Sequence, residues 1–159
     1  MPIEMQPIGF VHAPRRQPTD DHWGDALSCV ALTHPFGPES LAGLSEFSHV
    51  EIIFHFHGVD AFEVETGARH PRDNPAWPAV GIFAQRGKNR PNRIGSTICR
   101  VIRVQGTQLH VAELDAIDGS PVLDIKPVMQ QFLPRQPVSQ PDWSDALMAH
   151  YWSPPDTPA

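Results

Sequence analysis

Six of the twelve basic residues in this 159-residue chain fall between positions 86 and 103: Arg86, Lys88, Arg90, Arg93, Arg100 and Arg103. Within that island, Arg86-Gly87-Lys88-Asn89-Arg90-Pro91-Asn92-Arg93-Ile94-Gly95 mixes charge with glycine and proline. Guanidinium groups present planar forks that match carboxylate and phosphate oxygens, and Asn92 both donates and accepts. Glycine lets backbone approach a ligand closely, and Pro91 pre-sets one φ and lowers the entropy lost on ordering. The segment reads as a binding loop for an anion. The plain alternative is a solvated charge run, which does not need Gly, Pro and Asn at set points. Two familiar phosphate loops are excluded: Gly81 and Gly87 ahead of Lys88 have the wrong spacing for a P-loop, and no GxGxxG occurs.

Other residues have simpler readings. His55 and His57 share a strand face, but two ligands without a matching cysteine do not make a metal site, so none is expected. Cys29 and Cys99 lack any CxxC spacing and read as reduced, buried thiols. Asp118-Gly119-Ser120-Pro121 is a turn signal. Asp124 and Lys126 share a strand face and suit a simple ion pair. Trp143 and Trp152 suit packing of a last helix better than stacking on bases.

These residues need a scaffold. Eighteen prolines and eleven glycines disfavour a helical bundle and favour short strands with long connections. Strands are expected at Ile8 to Val11, Leu27 to Thr33, His49 to His57, Gly81 to Gln85, Thr97 to Val104, Leu109 to Leu114 and Val122 to Ile125. In the third, Ile52, Phe54 and Phe56 fall on one face and Ile53, His55 and His57 on the other. One or two helical turns are expected in Pro38 to Gly43, a long loop over residues 60–80, and a hairpin around Gln105-Gly106-Thr107. A single helix is expected at Asp142 to Tyr151, capped by Ser139 or Asp142 and stopped by Pro154-Pro155. The sum is a mainly β, single-domain small barrel over residues 1–152, with long loops, a short C-terminal helix and a flexible tail at 153–159. No stretch reaches the ~18 apolar residues that span a bilayer. Met1 to Phe10 has no basic residue and does not read as a secretory leader, so a cytoplasmic protein without a membrane role is expected. The net charge of −6 excludes a generally basic nucleic-acid coat but not a local basic patch.

The runs Gly81-Ile82-Phe83-Ala84-Gln85-Arg86, Arg90-Pro91-Asn92, Ile94-Gly95, Leu114-Asp115 and Asp118-Gly119-Ser120-Pro121-Val122-Leu123-Asp124-Ile125-Lys126-Pro127 occur in this order. Ile8-Gly9, Arg16-Gln17-Pro18, Glu46-Phe47-Ser48-His49 and Phe56-His57 precede them. Together they resemble the TsaA-like (TrmO) family of S-adenosylmethionine-dependent tRNA methyltransferases over roughly residues 7–128. The resemblance implies a β-barrel that binds S-adenosylmethionine, forms homodimers and methylates N6 of threonylcarbamoyl-adenosine at position 37 of tRNA.

Carried over by position, the cofactor contacts fall on Arg16, Gln17, Pro18, His57, Gly58, Arg86, Ser96, Asp118, Gly119, Ser120 and Pro121. Arg90 and Asn92 match family positions that shape the pocket, and Lys88, Arg93 and Lys126 are expected around the same substrate pocket. Arg16 or Arg86 suits the cofactor's carboxylate. His57 is the candidate base, with Asp118 and Asp124 behind it. The chain departs from the family pattern at Gln85, Gly87-Lys88 and Arg93, and a short member lacking the extra C-terminal domain of longer members is expected. Two other readings follow from those departures: the same cofactor with a small-molecule or different nucleotide acceptor, or a non-catalytic nucleotide-binding module.

Overall fold

A computed structural model describes residues 1–153. It contains strands β1 (Gly9–His12), β2 (Leu27–Leu32), β3 (His49–His55), β4 (Ala68–Arg69), β5 (Val80–Gly81), β6 (Ile94–Gln105), β7 (Gln108–Ala112) and β8 (Pro121–Pro127), and one helix, α1 (Asp142–Met148). Six strands close into an antiparallel barrel in the order β1-β2-β7-β6-β3-β8, while β4 and β5 form a separate two-stranded sheet. Closure removes the exposed edges that an open sheet must protect. The mainly β barrel with long loops and a short C-terminal helix agrees with the sequence reading.

The two-residue period of the strands produces the core. In β3, Val50, Ile52 and Phe54 are buried while Glu51, Ile53 and His55 face outward. Val11, Val30, Cys99, Leu109, Val111 and Val122 join them from the other barrel strands. Each fully buried aliphatic side chain here stabilises the fold by roughly 1.5–3 kcal/mol. Cys29, by the same parity, lies on the outer face of β2 and is only half-buried, whereas Cys99 is fully buried; both thiols are free.

Several boundaries differ from the sequence expectation, each for a tertiary reason. β3 ends at His55 because, after the in-register bond from the Phe56 amide to the Arg93 carbonyl (2.8 Å), the Arg93 amide turns to the Arg90 carbonyl (3.0 Å) and the His57 amide to that of His55 (2.9 Å). The expected strand at Gly81 to Gln85 is instead the end of β5 followed by a 3-10 turn at Ile82–Ala84. That turn buries Ile82 and points the Gln85 amide at the carbonyls of Arg69 and Val80, 3.0 and 2.9 Å away. The long loop at 60–80 contains β4 and two 3-10 turns. Helix α1 stops at Met148, and neither Ser139 nor Asp142 caps it; Pro141 holds the N-cap position. Beyond Met148 the chain is drawn off its helical path, because the carbonyls of His150 and Tyr151 accept the amides of His22 and Trp23 at 3.1 and 2.8 Å. The expected Pro154-Pro155 stop, and the tail apart from Ser153, lie outside the described residues. Among the described residues no helix is long and apolar enough to cross a membrane.

Gly95 sits where the barrel wall meets two aromatic rings. A Cβ there would lie 2.6 Å from Phe54 and 2.8 Å from Phe56. Those rings meet edge to face, with centroids 5.2 Å apart, and Phe54 is buried. Gly95→Ala should therefore lower the unfolding free energy by about 1–3 kcal/mol in urea titrations, the cost of overpacking. An unchanged midpoint would show that the rings give way freely.

Candidate functional site

Connections in an antiparallel barrel leave alternately from opposite rims. Residues 13–26, 56–93 and 113–120 therefore share one rim, and with them nearly every residue singled out from the sequence. Arg16, Gln17 and Pro18 follow β1. His57 and Gly58 follow β3. Arg86, Lys88, Arg90, Asn92 and Arg93 lead into β6, and Ser96 is its third residue. Asp118, Gly119 and Ser120 lead into β8, which Pro121 begins. Lys126 is different: it lies near the far end of β8, opposite Glu51, paired with Asp124 at 2.8 Å on the outer wall. The structure does not bring Lys126 or Asp124 to this rim.

The β1 exit and the Asp118 turn are laced together. The Val11 amide donates to the Ser120 carbonyl (2.9 Å), Gly119 to Val11 (2.8 Å) and Asp118 to Arg15 (2.8 Å). The Asp118 carboxylate accepts the Ala13 amide at 3.0 Å, so this side chain holds the two loops in register. Gly119 has φ +81, a left-handed conformation that disfavours any residue with a Cβ, and such a Cβ would lie 3.7 Å from His57 Nε2. His57 thus stands exposed beside the turn. Burial first, then the charges of Arg93 and His57, push His55 below the ordinary histidine range.

The basic loop is tied down by its own arginines. Arg86 donates to the Ser96 carbonyl (2.6 Å), Arg90 to Gln85 (2.6 Å) and Arg93 to Val59 (2.5 Å). Asn92 and Arg93 adopt φ 63 and 50, a bend that turns the chain into β6. Ser96 points outward and donates to Glu51 at 2.7 Å. Among the described residues the Arg16 guanidinium and the Lys88 ammonium make no hydrogen bond or ion pair, and Arg16 is exposed. Two recesses in the surface lie elsewhere: one of about 290 Å³ on the wall, and one of about 660 Å³ at the far rim, between Ile8, Leu32, Leu41 and Ile125.

Three contributors to this rim have no role assigned from the sequence, although Asp115 lies in one of its motifs. Arg15 curls the first loop by donating to the carbonyls of Asp21 (3.0 Å) and His22 (2.6 Å), with its guanidinium 3.6 Å over the Trp23 ring. Arg72, from the 60–80 segment, forks onto Asp21 at 2.9 and 3.3 Å. Asp115 receives the hydroxyls of Thr97 and Tyr151. Arg72 and Asp115 find partners distant in sequence, whereas Arg15 bonds within its own loop; the neighbouring Arg15-Arg16 pair hints that one of the two is structural. Trp152 meets Tyr151 edge to face at 4.9 Å, beyond α1.

Comparison with known proteins adds a second line of information. Residues 11–132 match the family model of the tRNA-methyltransferase O N-terminal domain. The chain is 41% identical over 138 residues to a mouse tRNA (adenine(37)-N6)-methyltransferase, covering 80% of this chain and 31% of that protein. It is 34% identical over 139 residues to a probable S-adenosyl-L-methionine-binding protein of Pyrococcus abyssi, covering 84% and 72%. The crystal structure of TrmO from Pseudomonas aeruginosa superposes with TM-score 0.72 at 26% identity, covering 98% of this chain and 64% of that one. The chain thus spans about a third of the mammalian relative.

Tyr151 provides a test of how the C-terminal segment is held. Burial, and then the charge and hydrogen bond of Asp115, push its phenol well above the ordinary tyrosine range, with Arg86 and Arg72 opposing. The folded protein keeps this proton where the unfolded chain releases it. Stability should therefore fall as pH rises above about 10, this group adding a slope that approaches ~1.4 kcal/mol per pH unit. Tyr151→Phe should lose about 1–3 kcal/mol at neutral pH and show a shallower alkaline decline. Urea titrations from pH 7 to 11 measure both; equal alkaline slopes would remove Tyr151 as the cause.

Proposed function

The chain belongs to the tRNA-methyltransferase O N-terminal domain family, and from that premise we propose that it binds S-adenosylmethionine at the loop rim and methylates N6 of the modified adenosine at position 37 of tRNA. The observation that carries this reading is the convergence of segments 16–18, 57–58, 86–96 and 118–121 on one rim of a closed barrel. The activity of the mammalian relatives supports the acceptor, and the Pyrococcus relative supports the cofactor.

The donor set fits the cofactor. Arg16, exposed and uncommitted among the described residues, suits its carboxylate. The left-handed Gly119 turn exposes backbone groups beside the His57 imidazole, where an amine or ribose is accommodated. S-adenosylmethionine, when bound, supplies an electrophilic methyl group on a sulfonium. The protein's own part is alignment: the laced β1 exit and Asp118 turn form a fixed floor, which reduces the entropy cost of an in-line approach. His57 is positioned to take the proton that the acceptor nitrogen loses. A second copy closing over the rim completes a homodimeric site.

One observation favours a different acceptor. Arg86, Arg90 and Arg93 each commit part of the guanidinium fork to a backbone carbonyl, which leaves their charge intact but fixes their direction, so the basic island presents fewer freely movable donors to RNA than its composition suggests. Isothermal titration with S-adenosylmethionine should show saturable binding, weakened about 10- to 100-fold by Arg16→Ala through loss of a charge-assisted contact. Absence of binding by the wild-type protein at millimolar cofactor would overturn the reading. Mass spectrometry of tRNA incubated with protein and cofactor should show one added methyl on threonylcarbamoyl-adenosine. Cofactor binding without that methyl would leave the alternative acceptor.

A further inference from the structure

The outer wall of the barrel carries a second cluster of polar side chains. Strand register places His12 of β1 opposite Cys29 of β2, Cys29 opposite His110 of β7, and His110 opposite Arg103 of β6. The four residues form one row across four adjacent strands. Strict alternation along β6, with Thr97 and Cys99 buried and Ile98 and Arg100 exposed, would turn Arg103 inward. A bulge prevents this. Val101 pairs with Val111 and Arg103 with His110, leaving Ile102 as the extra residue, so Arg103 emerges on the outer face beside the row. Bulges re-aim side chains in this way, and here the side chain re-aimed is a guanidinium.

The row lies in the recess of about 290 Å³, flanked by Leu27 and Ile102, and no carboxylate lines it. Arg103 faces the Cys29 thiol, whose pKa it lowers against the larger upward effect of burial. His110 Nε2 is buried and has no hydrogen-bond partner among the described residues. Donors arriving from three strands suit a tetrahedral oxyanion better than a planar one.

We propose that this recess binds a phosphate group, gripped by the Arg103 fork and by the imidazoles of His110 and His12. His12 immediately precedes the first rim loop while Arg103 lies near the far end of β6, so the recess runs along the β1-β2-β7-β6 side of the wall between the two rims. The phosphate is that of a small phosphorylated molecule or of a polynucleotide backbone; the recognition chemistry is common to both. The proposal rests on the wall geometry alone and stands whether or not the rim transfers methyl groups.

Cys29 reports occupancy directly. Alkylation of the intact protein by iodoacetamide, followed by mass spectrometry, reads Cys29, while buried Cys99 serves as the internal reference for unfolding. Inorganic phosphate at ten times its dissociation constant should slow Cys29 alkylation about tenfold, as 1 + [L]/Kd requires, and chloride at matched ionic strength should not. Arg103→Ala, with its fold checked by circular dichroism, should abolish the protection; His110→Gln is the substitute if that variant does not fold. Equal alkylation in phosphate and chloride, or full protection retained in the folded variant, would overturn the proposal. A nucleoside 5′-phosphate and a short oligoribonucleotide form the two remaining arms, and the one that protects at lower concentration identifies the source.

Discussion

The rim is built on a short ladder of hydrogen bonds between the chain leaving β1 and the turn entering β8. Val11, Ala13 and Arg15 on one side meet Asp118, Gly119 and Ser120 on the other, more than a hundred residues away. Three of the contacts are backbone to backbone and the fourth is the Asp118 carboxylate. Because both segments continue directly into barrel strands, the ladder transmits the rigidity of the closed sheet to the loops. A second brace, through Arg15, Trp23, Arg72 and Asp21, curls the first loop and leaves Arg16 facing solvent.

Charge at this rim divides into two kinds. Arg15, Arg72, Arg86, Arg90 and Arg93 satisfy carbonyls or a carboxylate and thereby hold irregular backbone in place. Loops of this length cannot satisfy their own polar groups by secondary structure, and guanidinium forks do so instead. Arg16, Lys88 and His57 carry no such side-chain commitment among the described residues, while the committed guanidiniums keep their charge and unused N–H groups.

The barrel strands were legible in the sequence because their alternation of buried and exposed residues is local. His49–His55 and the hairpin of β6 and β7 follow directly from the two-residue period. The family motifs were legible too, since their residues run in short contiguous blocks. The 3-10 turn at Ile82–Ala84, the early end of β3 and the early end of α1 were not. The first and the last answer to partners far along the chain, and β3 ends where its partner strand's Arg93 amide turns back to Arg90, so nothing within these segments signals the boundary. The bulge at Ile102 is of the same kind: β7 sets the register, and the register decides which way Arg103 points.

Residue types and spacing by themselves thus determined a mainly β chain, a basic glycine–proline loop, an acidic turn and a family. Only the tertiary structure decided that these segments meet, because closure of an antiparallel barrel assigns each connection to one rim or the other. It also decided which arginines are free, since a guanidinium's role depends on which carbonyls lie within reach, and that distance is set by the packing of strands remote in sequence.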